Sequence, residues 1–543
     1  MLYKNFNLKI AGPILIISVL YLTSCRSADI DQNETLIGSG RGIGAVAVKI
    51  NLLGTEYANS DKPAKVASIN QKGLNIDNSV QHYSVLVTPS SFISAELAPV
   101  TTLNTVASTS KLNSMAAVPG TPIGTGVKFR VIAYKQSDGT YSSHQEYTIG
   151  QPAQPMMLDS GKAYDMIVYS YGVNTLPAIS ANEQNNISSA KVNYDDTNRD
   201  FMYQKISYTP DGNNPNNTLN ITLMHKIAQI TTIVNSSSLG NITDITGGVL
   251  TPHYSDGVIS LASGTMSGRT KSSSGAVLNF SGLNTTTSTS TPVFVNADTG
   301  GNATGGFSAA MTIAGTTKTI NLPNSFKIIP ENKSNLTINL FKCGAYIGPN
   351  TDPANFKEFM CYNLGADTSV NAFTPSAAIH GAKYQWGAQT GETGRYISQA
   401  DDQSNSGSIS GWISTPKPYG SWIDSSKTGN DPCPSGYRVP TIDQWKTVIN
   451  NNNIEKVGSW AEDGNYTTAL YFRSPSNIRT LMLPAAGSRS KSDGTLNDRG
   501  NEGLYWSSSE ASSIANVLYF NSNSVFVFNY NPSDGFPVRC VAE

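Results

Sequence analysis

The chain has 543 residues, a formal net charge of −1 and only 14% charged residues. That length exceeds one ordinary domain and asks for three or four. The even charge balance excludes a basic nucleic-acid surface and an acidic solvating tail, and 25 Tyr among abundant Ser, Thr, Asn and Gly point to a β-rich extracellular protein.

Taken in chain order, the N-terminus carries a targeting signal. Lys4 and Lys9 supply a positive region, and residues 10–22 form an apolar run too short to span a bilayer. The run ends in Leu22-Thr23-Ser24-Cys25, which resembles a bacterial lipobox. That resemblance implies a signal peptide over 1–25, lipidation of Cys25 and a mature protein anchored to the outer membrane rather than spanning it. Asp29, Asp31 and Glu34 follow closely, a pattern that accompanies surface export. No later stretch is long and apolar enough to cross a membrane.

From about residue 40 to 340, short β-patterned runs alternate with turn clusters. Residues 45–52 read AVAVKINL and 83–87 read YSVLV. In VKFRVIAY, residues 127–134, Val127, Phe129, Val131 and Ala133 share one face, and Lys128 and Arg130 share the other. Asp138-Gly139 marks a hairpin turn. YDMIVYSY at 164–171 is another strand, and a second set runs from Leu219 to Phe341. No helical period persists. The pattern predicts two β-sandwich domains, 26–205 and 206–342.

VKFRVIAYKQSDGTY, LDSGKAYDMIVYSYGVNTLP, DFMYQKI and LMHKIAQITTIV, in this order, resemble the fimbrillin family of Bacteroidetes, the subunits of type V pili. The resemblance implies two fimbrillin-like sandwiches, export as a lipoprotein and removal of an N-terminal strand by an arginine-specific protease. A strand of a neighbouring pilus subunit then fills the vacated groove, which is β-strand addition. Arg41, in Gly38-Ser39-Gly40-Arg41-Gly42, is the cleavage candidate and would leave Gly42 as the new N-terminus. Arg26 lies too close to the lipid to release a strand. His225 reads as a structural histidine. Ordinary stalk subunits donate their C-terminal segment. Here the chain continues past Phe341 into another domain, so the subunit is expected to accept a strand without donating one and to sit at a filament end, the distal tip.

The last region turns on residues 431–445, DPCPSGYRVPTIDQW. Pro432 and Pro434 keep the approach extended. Thr441 and Gln444 form a capping box, and Trp445, Val448 and Ile449 give the helix an apolar face. Setting Cys25 aside leaves Cys343, Cys361, Cys433 and Cys540, which allow three disulfide connectivities. CPSGYRVPTIDQW, EFMCYNLGA, YQWGAQTG, LPAAGSR, GLYWSSSE and PVRCVAE resemble the Fibrobacter succinogenes major paralogous domain. This implies an α+β, C-type-lectin-like domain over 343–543. It also implies the pairs Cys433–Cys540, because such folds tie the first helix region to the last strand, and Cys343–Cys361.

No catalytic residue, metal or cofactor is assigned. HExxH, GxSxG and P-loop motifs are missing. The four cysteines read as structural, and Asp424, Asp431 and Asp443 form no paired-carboxylate pattern. The calcium-dependent sugar motifs of C-type lectins are missing too. The Ser/Gly-rich residues 401–422 read as an exposed recognition loop, with Trp412, Trp422 and Tyr419 as candidate ligand contacts. Together these readings predict a mainly β surface protein, a pilus tip or accessory adhesin recognising a glycan or protein on host or bacterial surfaces. The alternative is an outer-membrane glycan-binding lipoprotein that never enters a fimbrium.

Overall fold

The computed structural model describes residues 44–59, 80–100, 120–511 and 514–543. Cys25, Arg41 and Gly42, with the whole targeting segment, lie outside them. The molecule is mainly β, as its turn-punctuated alternating runs require.

The first unit is one seven-stranded sheet. Its strands are β1 (Ala45–Glu56), β4 (Lys128–Lys135), β5 (Tyr141–Thr148), β6 (Met156–Asp159), β7 (Tyr164–Ser170), β9 (Met202–Tyr208) and β10 (Thr218–His225), in the order β5-β4-β7-β9-β10-β1-β6. β5 and β6 are opposite edges, yet only residues 149–155 join them, so the twisted sheet curls until its edges approach. The concave side buries Phe129, Val131, Met166, Leu219 and Ile221.

The expected polar face of β4 is also buried. Ile132, Tyr134, Ile167 and Tyr169 pack under the crossing segment that carries Ala190, Val192 and Tyr194. Arg130 is therefore fully enclosed, while Lys128 on the same face is half-buried. Arg130 donates to Glu183 Oε1 at 2.8 Å, Glu146 Oε1 at 2.5 Å and the Tyr169 hydroxyl at 2.5 Å. These partners neutralise a charge that could not otherwise be removed from water.

The second unit is a sandwich. One layer contains β11 (Ala228–Asn235), the Lys333–Lys342 strand, β3 (Ser91–Pro99) and β2 (Gln81–Thr88), side by side. The other contains β12 (Ile242–Thr251) with the Gly305–Ile313 and Thr316–Phe326 strands. Ile93, Leu97, Ile230 and Ile338 from the first layer meet Leu250, Phe307 and Leu322 from the second.

The chain does not pass once from one unit to the other near residue 205. β2 and β3 come from the N-terminal half but pair with Lys333–Lys342. β8 (Lys191–Asn193) crosses likewise to pair with Val258–Ser260. His225 helps close the junction: its Nδ1 lies 2.6 Å from Asp200 and its ring stacks on Tyr57 at 4.0 Å.

Residues from Cys343 onward form the third unit. It has two three-stranded sheets, Asn453–Val457/Ala469–Arg473/Arg479–Pro484 and Gly503–Ala511/Ile514–Phe520/Val525–Tyr530. The helix α2 (Ile442–Asn451) begins at the capping box, with Thr441 and Gln444 each accepting the other's backbone N–H. Its Trp445 and Val448 are buried with Leu470, Leu483 and Phe520. A shorter helix, α1 (Gln399–Ser404), is capped by Ser398.

The third unit grips the second. At the β2–β3 turn, Pro89 and Ser90 carbonyls accept the N–H groups of Cys361 and Cys343 at 2.8 and 2.7 Å. The Ser90 hydroxyl donates to Glu358 and accepts from the Tyr437 hydroxyl. Phe92 and Phe341 stack at 4.6 Å and meet Phe373 across the boundary. Strand, turn and aromatic cluster together make this a packed junction rather than a linker.

Candidate functional site

Two apolar clefts and the surface of the third unit are the candidates. The larger cleft, about 410 Å³, lies between two terminal strands of the sandwich, β2 and Thr316–Phe326. Val87, Ile93, Met311, Ile313, Ile320 and Leu340 line it. Lys318, Lys342 and Glu358 stand among them, and Lys342 pairs with Glu358 at 2.7 Å. Each bounding strand is hydrogen-bonded on one side only among the described strands. The two strands are bridged at their other ends, where the Gln81 side chain bonds the Lys327 N–H and carbonyl, so the cleft lies toward Val87 and Thr316.

The smaller cleft, about 280 Å³, opens at the curled edge of the first unit beside Ile50, Leu52, Tyr147 and Ile149. Residues 120–123 cross it closely, bridged Thr55 to Thr121. Gly54, at φ +139°, permits that approach, since a Cβ there would come within 2.6 Å of the Gly120 backbone.

The aromatic residues singled out in 401–422 do not form one surface. Trp422 is 1% exposed, packs on Trp386 at 5.6 Å and donates its indole N–H to the Asn430 carbonyl. Trp412 is 9% exposed and sits against Gly494 and Gly535. Both are core residues, which corrects their reading as ligand contacts. Their large apolar area is worth more inside than in water. Tyr419 alone projects, at 79% exposure.

Disulfides join Cys343 to Cys361 and Cys433 to Cys540. Asp431 accepts the N–H groups of Cys433 and Val439, and Asp424 accepts the Ser508 and Ser509 hydroxyls, so both carboxylates shape loops. Among the described residues no group of three or more His, Cys, Asp and Glu is placed to hold a metal ion.

An ion cluster that the sequence did not reveal centres on Asp402 of α1. Its carboxylate accepts from Lys383 at 2.5 Å, Arg489 at 2.7 Å and Arg499 at 3.0 Å. Burial alone would raise that carboxyl, but Lys383 and Arg489 overcome it and hold it at about 2. Burial pushes Lys383 down to about 8. Beside them His380 is wholly buried against Tyr466, and burial with the cations Lys383 and Arg499 holds it down at about 3. Four separate segments thus meet on one carboxylate. The arrangement can clamp loops; it offers no open face for a substrate.

Comparison with known proteins adds the following. Residues 459–541 match a family described as a domain of unknown function, DUF8237. No curated protein matches. Among solved structures, a candidate cell adhesion protein from Bacteroides uniformis is 13% identical, with 40% of this chain and 86% of that one covered and a TM-score of 0.29. A candidate cell adhesion protein from Bacteroides fragilis is 12% identical over 54% of this chain and 92% of that one, at a TM-score of 0.28. A fimbrial assembly protein from Parabacteroides distasonis is 8% identical over 40% and 87%, at 0.25.

Proposed function

We propose that this chain is a cell-surface adhesin subunit that joins a filament by accepting a strand and cannot pass one on. In this reading it reaches the outer membrane as a lipoprotein on Cys25 and is cut after Arg41. It docks a neighbouring subunit's strand in an apolar cleft, and residues 343–543 meet the ligand, a surface glycan or protein.

The observation that carries the reading is the fate of Lys333–Lys342. This strand lies between β11 and β3, paired on both sides, and leads directly into the Cys343–Cys361 link. The sandwich therefore offers no loose C-terminal segment to donate, while among the described residues nothing fills the cleft beside β2. A chain that accepts and does not donate ends a filament.

Immunogold electron microscopy of native cells, with antibody against residues 343–543, tests this. Gold at filament ends and a mature N-terminus at Gly42 are the expected results. Gold spread over the outer membrane, on cells whose chain keeps its lipidated Cys25, would overturn assembly and leave a static binding lipoprotein.

A further inference from the structure

The third unit ends its second sheet on a strand whose far edge is unpaired among the described strands, with α2 packed against its Val525 and Val527 side. Val525–Tyr530 is hydrogen-bonded to Ile514–Phe520 alone among the described strands. Its residues alternate, and Phe526, Phe528 and Tyr530 share one face. Phe526 is 41% and Phe528 is 52% exposed, the largest apolar groups left open on this unit's sheets. Successive rings stand 6.0 and 6.3 Å apart, edge to face, and Tyr519 joins them 5.0 Å from Phe526. An unpaired edge bearing exposed aromatics, with no charged residue of its own, invites another strand.

The carboxylates of Glu502, Asp498 and Glu462 gather beside it, with two lysines at its margins. The Tyr519 hydroxyl donates to Glu502 at 2.5 Å. Asp498 and Glu462 stand beside Glu502: burial, Glu502 and Glu462 together push the Asp498 carboxyl up to about 6, and no cation offsets them there. Burial, Asp534, Glu502 and Asp498 likewise raise the Tyr530 hydroxyl, which puts these carboxylates within reach of the same ladder. Two lysines lie at the margins and are engaged. Lys491 faces Asp534, and Lys456 donates to the Ser522 carbonyl at the hairpin turn.

We infer that Val525–Tyr530 is a docking edge for an extended, basic segment of a partner protein, which adds as a fourth strand. Its Lys or Arg side chains lie across the rings of Phe526, Phe528 and Tyr530 toward Glu502 and Asp498. The edge supplies backbone hydrogen bonds, the rings supply contact and cation–π attraction, and the carboxylates select the sign of the partner. The inference deepens the adhesin reading by giving the third unit a protein ligand of stated charge.

The test is fluorescence anisotropy of the full chain with two labelled octapeptides, one alternating Lys and Val, the other alternating Glu and Val. The Lys peptide is expected to bind at least about tenfold more tightly, and less so as salt is raised. Phe526→Ser with Phe528→Ser, and separately Asp498→Asn with Glu502→Gln, are each expected to remove most of that difference. Hydrogen exchange of the unsubstituted chain gives a second readout, in which the Lys peptide protects Val525–Tyr530 selectively. Equal affinity for the two peptides, unchanged affinity in both double variants, or protection elsewhere would overturn the inference. So would preferential binding of chitosan oligomers over the Lys peptide. Gold labelling at filament ends is independent of all these outcomes, so the adhesin reading and this edge can fail separately.

Discussion

The sandwich and the third unit hold their chains in different ways. In the sandwich, long strands carry the order: β11 buries Ala228, Ile230, Thr232 and Val234 in strict alternation, and Lys333–Lys342 does the same with Leu336, Ile338 and Leu340. In the third unit the strands are short and long stretches run between them, so a ladder cannot organise the loops. Two disulfides, the Asp402 cluster and buried side chains such as Arg539, which donates to Asn363 and to the Met360 and Cys361 carbonyls, take that part. Irregular backbone still needs its polar groups paired, and side chains supply the partners that a sheet would have provided. The lesson is that one chain can be periodic where it is regular and ionic where it is not.

All six tryptophans lie in the third unit, so their fluorescence reports it alone, while circular dichroism reports every strand. The largest effect expected is from Cys433→Ala with Cys540→Ala. This opens a loop of 107 residues and should cost about 5 kcal/mol, seen as an early tryptophan transition with the sandwich transition unmoved. A single joint transition would show instead that the junction at Ser90 couples the units.

Acid should act next, and on the same unit. His380 is held at about 3, below its ordinary 6.5. Between those values the unfolded chain takes up a proton that the folded unit refuses, so stability falls as the pH falls. The loss by pH 3 is on the order of 4 kcal/mol, and Asp402, held at about 2, adds to it below about 3.8. His380→Phe should flatten the tryptophan-monitored denaturation midpoint between pH 6.5 and 4. A slope that persists would place the acid sensitivity elsewhere.

The first unit sharpens the comparison, because it too contains a buried ion group. Glu183→Ala should leave Arg130 short of one carboxylate and cost about 3 kcal/mol in the circular dichroism transition, with tryptophan fluorescence unchanged. The smallest effect is expected from Thr441→Ala, which removes the α2 cap at about 1 kcal/mol and shifts only the tryptophan signal.

Local chemistry was legible in the sequence, and long-range placement was not. The Thr441–Gln444 capping box needs only four consecutive residues, so it could be read directly. β2 and β3 were legible as strands, yet nothing in YSVLV says which sheet it will join, because an alternating strand fits either. Alternation puts Arg130 on the face opposite Phe129 and Val131, but it describes one strand, whereas the burial of that face depends on Ala190 and Val192 arriving from far along the chain. Trp412 and Trp422 were placed in an exposed loop from the small residues around them. Those small residues say that the loop lacks regular structure, not where its indoles point. The Asp402 cluster draws one residue from each of four segments, a pattern with no sequence spacing at all.

The position of Lys333–Lys342 also decides how the molecule would carry tension. A pull applied to the third unit along this strand would load the ladders to β11 and β3 together, so that they resist sliding instead of opening one rung at a time. The Ser90 turn anchors the same unit to β2 and β3, so part of the load bypasses the strand altogether. The joint is thus built like a spliced cable, with grip that is spread along its length and shared between strands.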